Sequence, residues 1–198
     1  MYAASQMLTQ LNLATRMHHA NVDAAQLAIL DEPDANHYQA MLVRTYGFEA
    51  PVESALAMSP LVEGIDLRER GKAGLLAGDL LTLGLRPQQL AKVPLCPRID
   101  AFETIAEAIG WLYVVERRTL LNAVLVRDLT GHIPEVIERA GSYLHCYAGV
   151  AGARWRDLGL AFDRAITPEI MTCAIKAAHH AFWCQRDWFH RESERQAV

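Results

Sequence analysis

Residues 11–19 read Leu11-Asn12-Leu13-Ala14-Thr15-Arg16-Met17-His18-His19. Leu8, Leu11, Thr15, Val22 and Leu27 fall near one stripe of a helix from about Ser5 to Leu30, and Asp31-Glu32-Pro33-Asp34 stops it, since a residue before proline avoids helical angles. Outward from this segment the periodicity stays helical. A second helix from about Asn36 carries Tyr38, Met41, Leu42, Thr45 and Tyr46, with Gly47 and Pro51 expected to bend or break it. Leu67 to Leu83 reads as a helix ended by Gly84 and Pro87, Ala101 to Asp128 as one long helix, and Ala151 to Ala165 as another. The last starts at Thr167-Pro168-Glu169, an N-cap followed by proline in the first turn. No period-two strand pattern competes, so the expected class is all-α.

The chain has 198 residues, 52% hydrophobic and 21% charged, which fits one globular domain over 1–198 with a core that needs no staple. A net charge of −4 gives no global basic field, so nucleic acid is not the expected partner. The apolar run Ala108 to Val115 is far short of the ~20 residues that span a bilayer, and MYAASQMLTQ lacks a secretory pattern. Cys96, Cys146, Cys173 and Cys184 form no CxxC pair, which points to free thiols and a cytoplasmic protein.

The 11–19 stretch resembles the first helix of haem oxygenases, where L-x-x-A-T-x-x-x-H ends in the proximal haem ligand. His19, not His18, occupies that place, and Asp23 stands where the family has an acidic residue four positions later. Residues four apart share a helix face, and a carboxylate there can accept the imidazole N–H turned away from iron. Tyr38 to Glu53 (YQAMLVRTYGFEAPVE), Ile109 to Val115 (IGWLYVV) and Gly152 to Leu160 (GARWRDLGL) resemble later segments of bacterial members in type and order. The resemblance covers most of the chain and implies a haem-oxygenase-like multi-helix bundle. It implies haem as substrate and cofactor, O₂ and an electron donor (ferredoxin or a reductase) as cosubstrates, and biliverdin, CO and ferrous iron as products. In the family the biliverdin supplies a phytochrome or the iron supplies the cell. His19 would be the axial ligand, Asp23 its supporting carboxylate, and Tyr113 and Arg156 partners of the propionates.

The chain departs from the family in the distal segment. Where bacterial members continue E-G-S-x-L-G-G, this sequence has Glu116-Arg117-Arg118-Thr119-Leu120-Leu121-Asn122. Glu116 and Leu120 match, while Arg117, Arg118, Leu121 and Asn122 replace small residues. Arginine and leucine favour regular helix, so this distal wall should be straighter and its side chains should enter the space above iron. Arg117 and Arg118 point about 100° apart, so at most one faces the pocket squarely; an inward arginine would pair with an acidic residue, Asp23 among them, or with a bound anion, and otherwise both face solvent and only Leu121 enters the site. Two functions follow: a haem oxygenase, or a catalytically inactive relative that binds haem or a bilin or serves as an interaction partner.

Other constellations carry less. His179, His180, Asp187 and His190 suggest the H-x-x-x-D-x-x-H group of di-iron oxidases, but Trp183 stands where its first histidine belongs. His190 then reads as an exposed residue near the helix end. His145-Cys146 cannot face each other on a helix, and GKAGLLAG (71–78) lacks the ending of a phosphate loop. Trp111, Trp155, Trp183 and Trp188 read as packing residues.

Overall fold

In a computed structural model, residues 4–97 and 99–196 are described, with side chains through His190. Among them the chain is all-α, with no strand. No described helix is long and apolar enough to cross a membrane. The α-helices are α1 (Gln6–Leu27), α2 (Ala35–Ala57), α3 (Ala73–Thr82), α4 (Pro87–Leu90), α5 (Ile105–Arg118), α6 (Asn122–His132), α7 (Pro134–Ala140), α8 (Ala151–Arg164) and α9 (Pro168–Gln196). Short 3₁₀ turns occupy Ala28–Leu30, Leu67–Glu69 and Thr119–Leu121.

Local chemistry sets the helix starts. Ser5 caps α1 by accepting from the Leu8 N–H, and Asp163 of α8 accepts from the N–H groups of Gln6 and Met7. A carboxylate at that end also meets the positive pole of the helix dipole. Asp34 caps α2, and Thr104 with Glu107 forms a capping box on α5, so the long helix expected from Ala101 begins at Ile105. Thr167 caps α9 as expected. The helix expected over 67–83 is instead a 3₁₀ turn followed by α3. Its start is fixed from outside, because Glu53 of α2 accepts from the backbone N–H groups of Lys72 and Ala73.

Two expectations about breaks are corrected. The α2 helix runs unbroken through Gly47 and Pro51. Proline has no N–H for the carbonyl one turn before it. That carbonyl belongs to Gly47, and the Cys96 N–H donates to it at 2.8 Å. The distal segment, expected to be straight, changes to a 3₁₀ turn at 119–121 without any glycine. Here the Thr119 hydroxyl donates to the Glu116 carbonyl at 2.7 Å, Gln26 Nε2 donates to the Arg118 carbonyl at 3.1 Å, and Asn122 Nδ2 donates to the Tyr143 carbonyl at 3.2 Å. Thr119 and Gln26 thus reach carbonyls at the end of α5, and Asn122 ties the following turn to Tyr143.

Two apolar clusters form the core. One joins α1, α5, α8 and α9 through residues such as Leu11, Leu112, Phe162 and Phe182. The other joins α2, α3, α6 and α7 through Tyr38, Leu42, Leu80 and Leu129. Trp111 and Trp188 pack in the first cluster, whereas Trp183, read from sequence as packing, is exposed. The closest crossing is α5 on α9. A Cβ at Gly110 would lie 2.6 Å from the Ala174 carbonyl oxygen and 2.7 Å from the Ala178 nitrogen, both backbone atoms. Gly110→Ala should therefore force the two helices apart and lower unfolding stability by ~1–3 kcal/mol, measured by urea denaturation.

Candidate functional site

His19 lies on α1 facing α5, and the two helices meet through a seam of polar side chains. His19 Nε2 is 3.1 Å from Thr15 Oγ1 and 3.4 Å from the Tyr113 hydroxyl, which is itself 3.3 Å from Thr15 Oγ1. One turn on, Arg117 donates through both terminal nitrogens to the two oxygens of Asp23, at 2.7 and 2.8 Å. The Phe182 ring of α9 lies 5.6 Å from the His19 ring, centroid to centroid. Arg117 faces the seam and pairs with Asp23, while the adjacent Arg118 is buried on another face of α5.

The histidine's own partner is corrected. Asp23 is engaged by the guanidinium, and His19 bonds to Thr15 and Tyr113 instead. The Thr15 hydroxyl gives its proton to the Leu11 carbonyl at 2.7 Å, so toward His19 it can only accept. Nε2 thus faces both the Thr15 and the Tyr113 hydroxyls. Burial, followed by the Arg117 charge, holds the His19 pKa below its ordinary value against the opposing pull of Asp23. The ring is neutral at neutral pH.

The other residues expected at the distal wall and the propionates are dispersed. Glu116 turns away from α1 into the bundle, only 2% exposed. It accepts from Arg70 NH1 at 2.7 Å, Lys72 Nζ at 2.8 Å and the Tyr147 hydroxyl at 3.1 Å. Arg118 points to α2 and α9, where it donates to Thr45 Oγ1 at 3.0 Å and lies 4.4 Å over the Phe189 ring. Asn122 is buried against Tyr143, and Leu121 is half-buried in the 3₁₀ turn. Tyr113 is buried in the seam, whereas Arg156 is exposed and lines a cleft of about 430 Å³ between α1 and α8 together with Asn12.

These residues do not fit haem as they stand. A flat macrocycle ligated by His19 needs the space between α1 and α5, and direct contacts from Tyr113 and Arg117 fill it. The His19 Nε2 is already within hydrogen-bond distance of Thr15 and Tyr113, and the Asp23 carboxylate is held by Arg117. Elsewhere, His18 bonds to His179 at 2.9 Å, and no three His, Cys, Asp or Glu side chains among the described residues converge on a metal position. Burial raises the Cys146 thiol to about 11, which suits packing rather than nucleophilic attack. His190 is exposed but stands well inside α9 rather than at its end. No known protein family matches the chain, and no curated protein does.

Sequence reasoning missed Glu49. This α2 residue is fully buried, and neither carboxylate oxygen has a hydrogen-bond partner. Burial pushes its pKa up to about 7, with Lys72 and Arg118 pulling the other way. The only signal available in sequence was an acidic residue on the buried stripe of a helix. A carboxyl with a raised folded pKa stabilises the fold fully below its unfolded pKa, and that contribution is lost as pH rises through about 7. Relative to Glu49→Gln, the wild-type protein should lose up to ~3 kcal/mol of stability between pH 5 and pH 8, read from thermal unfolding across pH.

Proposed function

We propose that the protein is a haem-oxygenase-like bundle that does not turn haem over. The family reading rests on the L-x-x-A-T-x-x-x-H stretch, which puts His19 on the first helix opposite the segment that resembles the distal helix. The observation that carries the loss of turnover is the bidentate Arg117–Asp23 pair, made by a side chain standing where the family has a glycine. Haem cleavage needs open space above the iron for O₂, and Arg117 fills the corresponding side of His19. In place of an oxygenase centre the chain retains a helix scaffold suited to binding a ligand or a partner.

The enzymatic reading keeps one specific support, that His19 stands on the first helix facing α5, the helix whose sequence resembles the distal helix of the family. On that reading the protein binds haem, takes electrons from a ferredoxin or a reductase, and releases biliverdin, CO and ferrous iron.

Haemin titration with optical spectra separates the two. The wild-type protein should give no stoichiometric Soret band that depends on His19, shown with a His19→Ala control. Arg117→Gly frees Asp23 and should raise haemin affinity by about tenfold or more, equivalent to roughly 1.4 kcal/mol. A wild-type Soret band lost in His19→Ala, then replaced by a bilin band when ascorbate is added in air, would overturn the proposal and make the protein an active haem oxygenase.

A further inference from the structure

Two imidazoles meet where α1 crosses α9. His18 Nε2 lies 2.9 Å from His179 Nδ1. The two residues are 161 positions apart in sequence, so only the folded helix pair brings them together. Both are half-buried, so the pair borders solvent instead of sitting in the core. The His18 ring is held in place from two sides. It stacks on the buried Phe182 ring, with centroids 5.4 Å apart and planes 12° apart, and meets the His179 ring edge-on at 5.1 Å. Burial, followed by the charges of His179 and Arg186, holds the His18 pKa below its ordinary value, so its ring is neutral at neutral pH.

A neutral imidazole keeps one ring nitrogen with a free lone pair, which is why histidine is the commonest metal ligand. Two nitrogens bound to one ion at ~2.0–2.1 Å, with ~90–110° between them, stand ~2.9–3.4 Å from each other. The His18–His179 separation matches the short end of that range, the edge between neighbouring ligands of an octahedral or square-planar ion. In the hydrogen-bonded pair one facing nitrogen carries the proton that the other accepts. On chelation the donor ring moves that proton to its other nitrogen, and small ring rotations aim both lone pairs at the ion. Imidazole selects ions such as Ni²⁺, Cu²⁺ and Zn²⁺ over Mg²⁺ and Ca²⁺, which prefer oxygen. Two protein ligands leave the other positions to water, and the half-buried setting spares the ion full dehydration. Arg186 is an opposing charge, but it is exposed and therefore screened. We propose that His18 and His179 form a two-histidine site for a first-row transition-metal dication, which ties α1 to α9. His19 is no part of it, so the proposal does not depend on the haem reading.

Calorimetric titration of the full chain with NiCl₂ at neutral pH, and with MgCl₂ as the hard-ion control, tests it. One equivalent of Ni²⁺ should bind, and Mg²⁺ should not. His18→Asn and His179→Asn should each weaken Ni²⁺ by roughly tenfold or more, because the second imidazole closes the chelate within one molecule. Both positions are half-buried and asparagine is polar, so two independent variants guard against a folding defect in either. Arg186→Gln removes the opposing charge and should tighten Ni²⁺ by about two- to fivefold. Thermal unfolding gives a second readout, since the unfolded chain does not hold the two histidines together. At ~100 times its Kd, Ni²⁺ should raise the wild-type Tm by roughly 5–10 °C and leave both histidine variants unmoved. Cys173→Ser and His180→Asn, at exposed positions on α9, and His19→Ala should bind Ni²⁺ as the wild type does. Absence of Ni²⁺ binding, binding that survives in both His18→Asn and His179→Asn, or binding lost in Cys173→Ser, His180→Asn or His19→Ala would each overturn the proposal.

Discussion

The Glu116 carboxylate sets the rotational phase of the helix that matters most. Taking Glu116, Arg70 and Lys72 out of water is expensive, and the cost is offset only if all three meet with their hydrogen bonds complete. They do so with the Tyr147 hydroxyl as a further donor. Burial alone would pull the Lys72 pKa down, but Glu116 and Glu49 more than offset it and hold it above its ordinary value. Once Glu116 points toward Lys72, the helix period dictates the rest of α5. Tyr113 and Arg117, one turn apart, face α1, and Arg118 faces α2 and α9. The seam at His19 and the seat of Arg118 against Thr45 and Phe189 both follow from where one buried carboxylate is anchored.

Helix positions and starts were largely legible because their causes are local. Ser5, Asp34, Thr104 and Thr167 each cap a helix within a few residues of themselves. The later start of α5, at the Thr104–Glu107 capping box, has a local cause as well. Other departures have distant causes. Pro51 does not break α2 because an N–H from Cys96 reaches the carbonyl that proline cannot serve. The distal segment passes through a 3₁₀ turn where Gln26 of α1 reaches the Arg118 carbonyl and Asn122 is anchored to Tyr143. Hydropathy and propensity contain no trace of these contacts, and a regular helix was the reasonable expectation for Arg-Arg-Thr-Leu-Leu-Asn.

The site shows the same division. The sequence located His19 and Asp23 on one face of α1, and Asp23 was one of the partners it offered for an inward arginine. It could not weigh the two demands on Asp23 against each other. A bidentate guanidinium–carboxylate pair is a charge-assisted bond, whereas a neutral imidazole offers one ordinary N–H. Arg117 therefore takes the carboxylate, and His19 turns to the hydroxyls of Thr15 and Tyr113. Glu116 went unrecognised as a core ion because it sits beside the arginines in sequence, and its cationic partners Arg70 and Lys72 precede it by 46 and 44 residues.

Arg117 thus acts on both sides of the cleft at once. It occupies space on the α5 side, and on the α1 side it removes the carboxylate that could orient His19 as a ligand. With Asp23 engaged, the imidazole Nε2 lies against the Thr15 and Tyr113 hydroxyls. Opening the cleft would mean separating Arg117 from Asp23 and releasing Tyr113 from Thr15 and His19. Each broken bond costs on the order of 1–3 kcal/mol if its groups stay unpaired. A ligand can draw the helices apart only by as much as it prefers the open state to the closed one. Binding between α1 and α5 is therefore governed less by the presence of His19 than by whether Arg117 finds a better partner than Asp23.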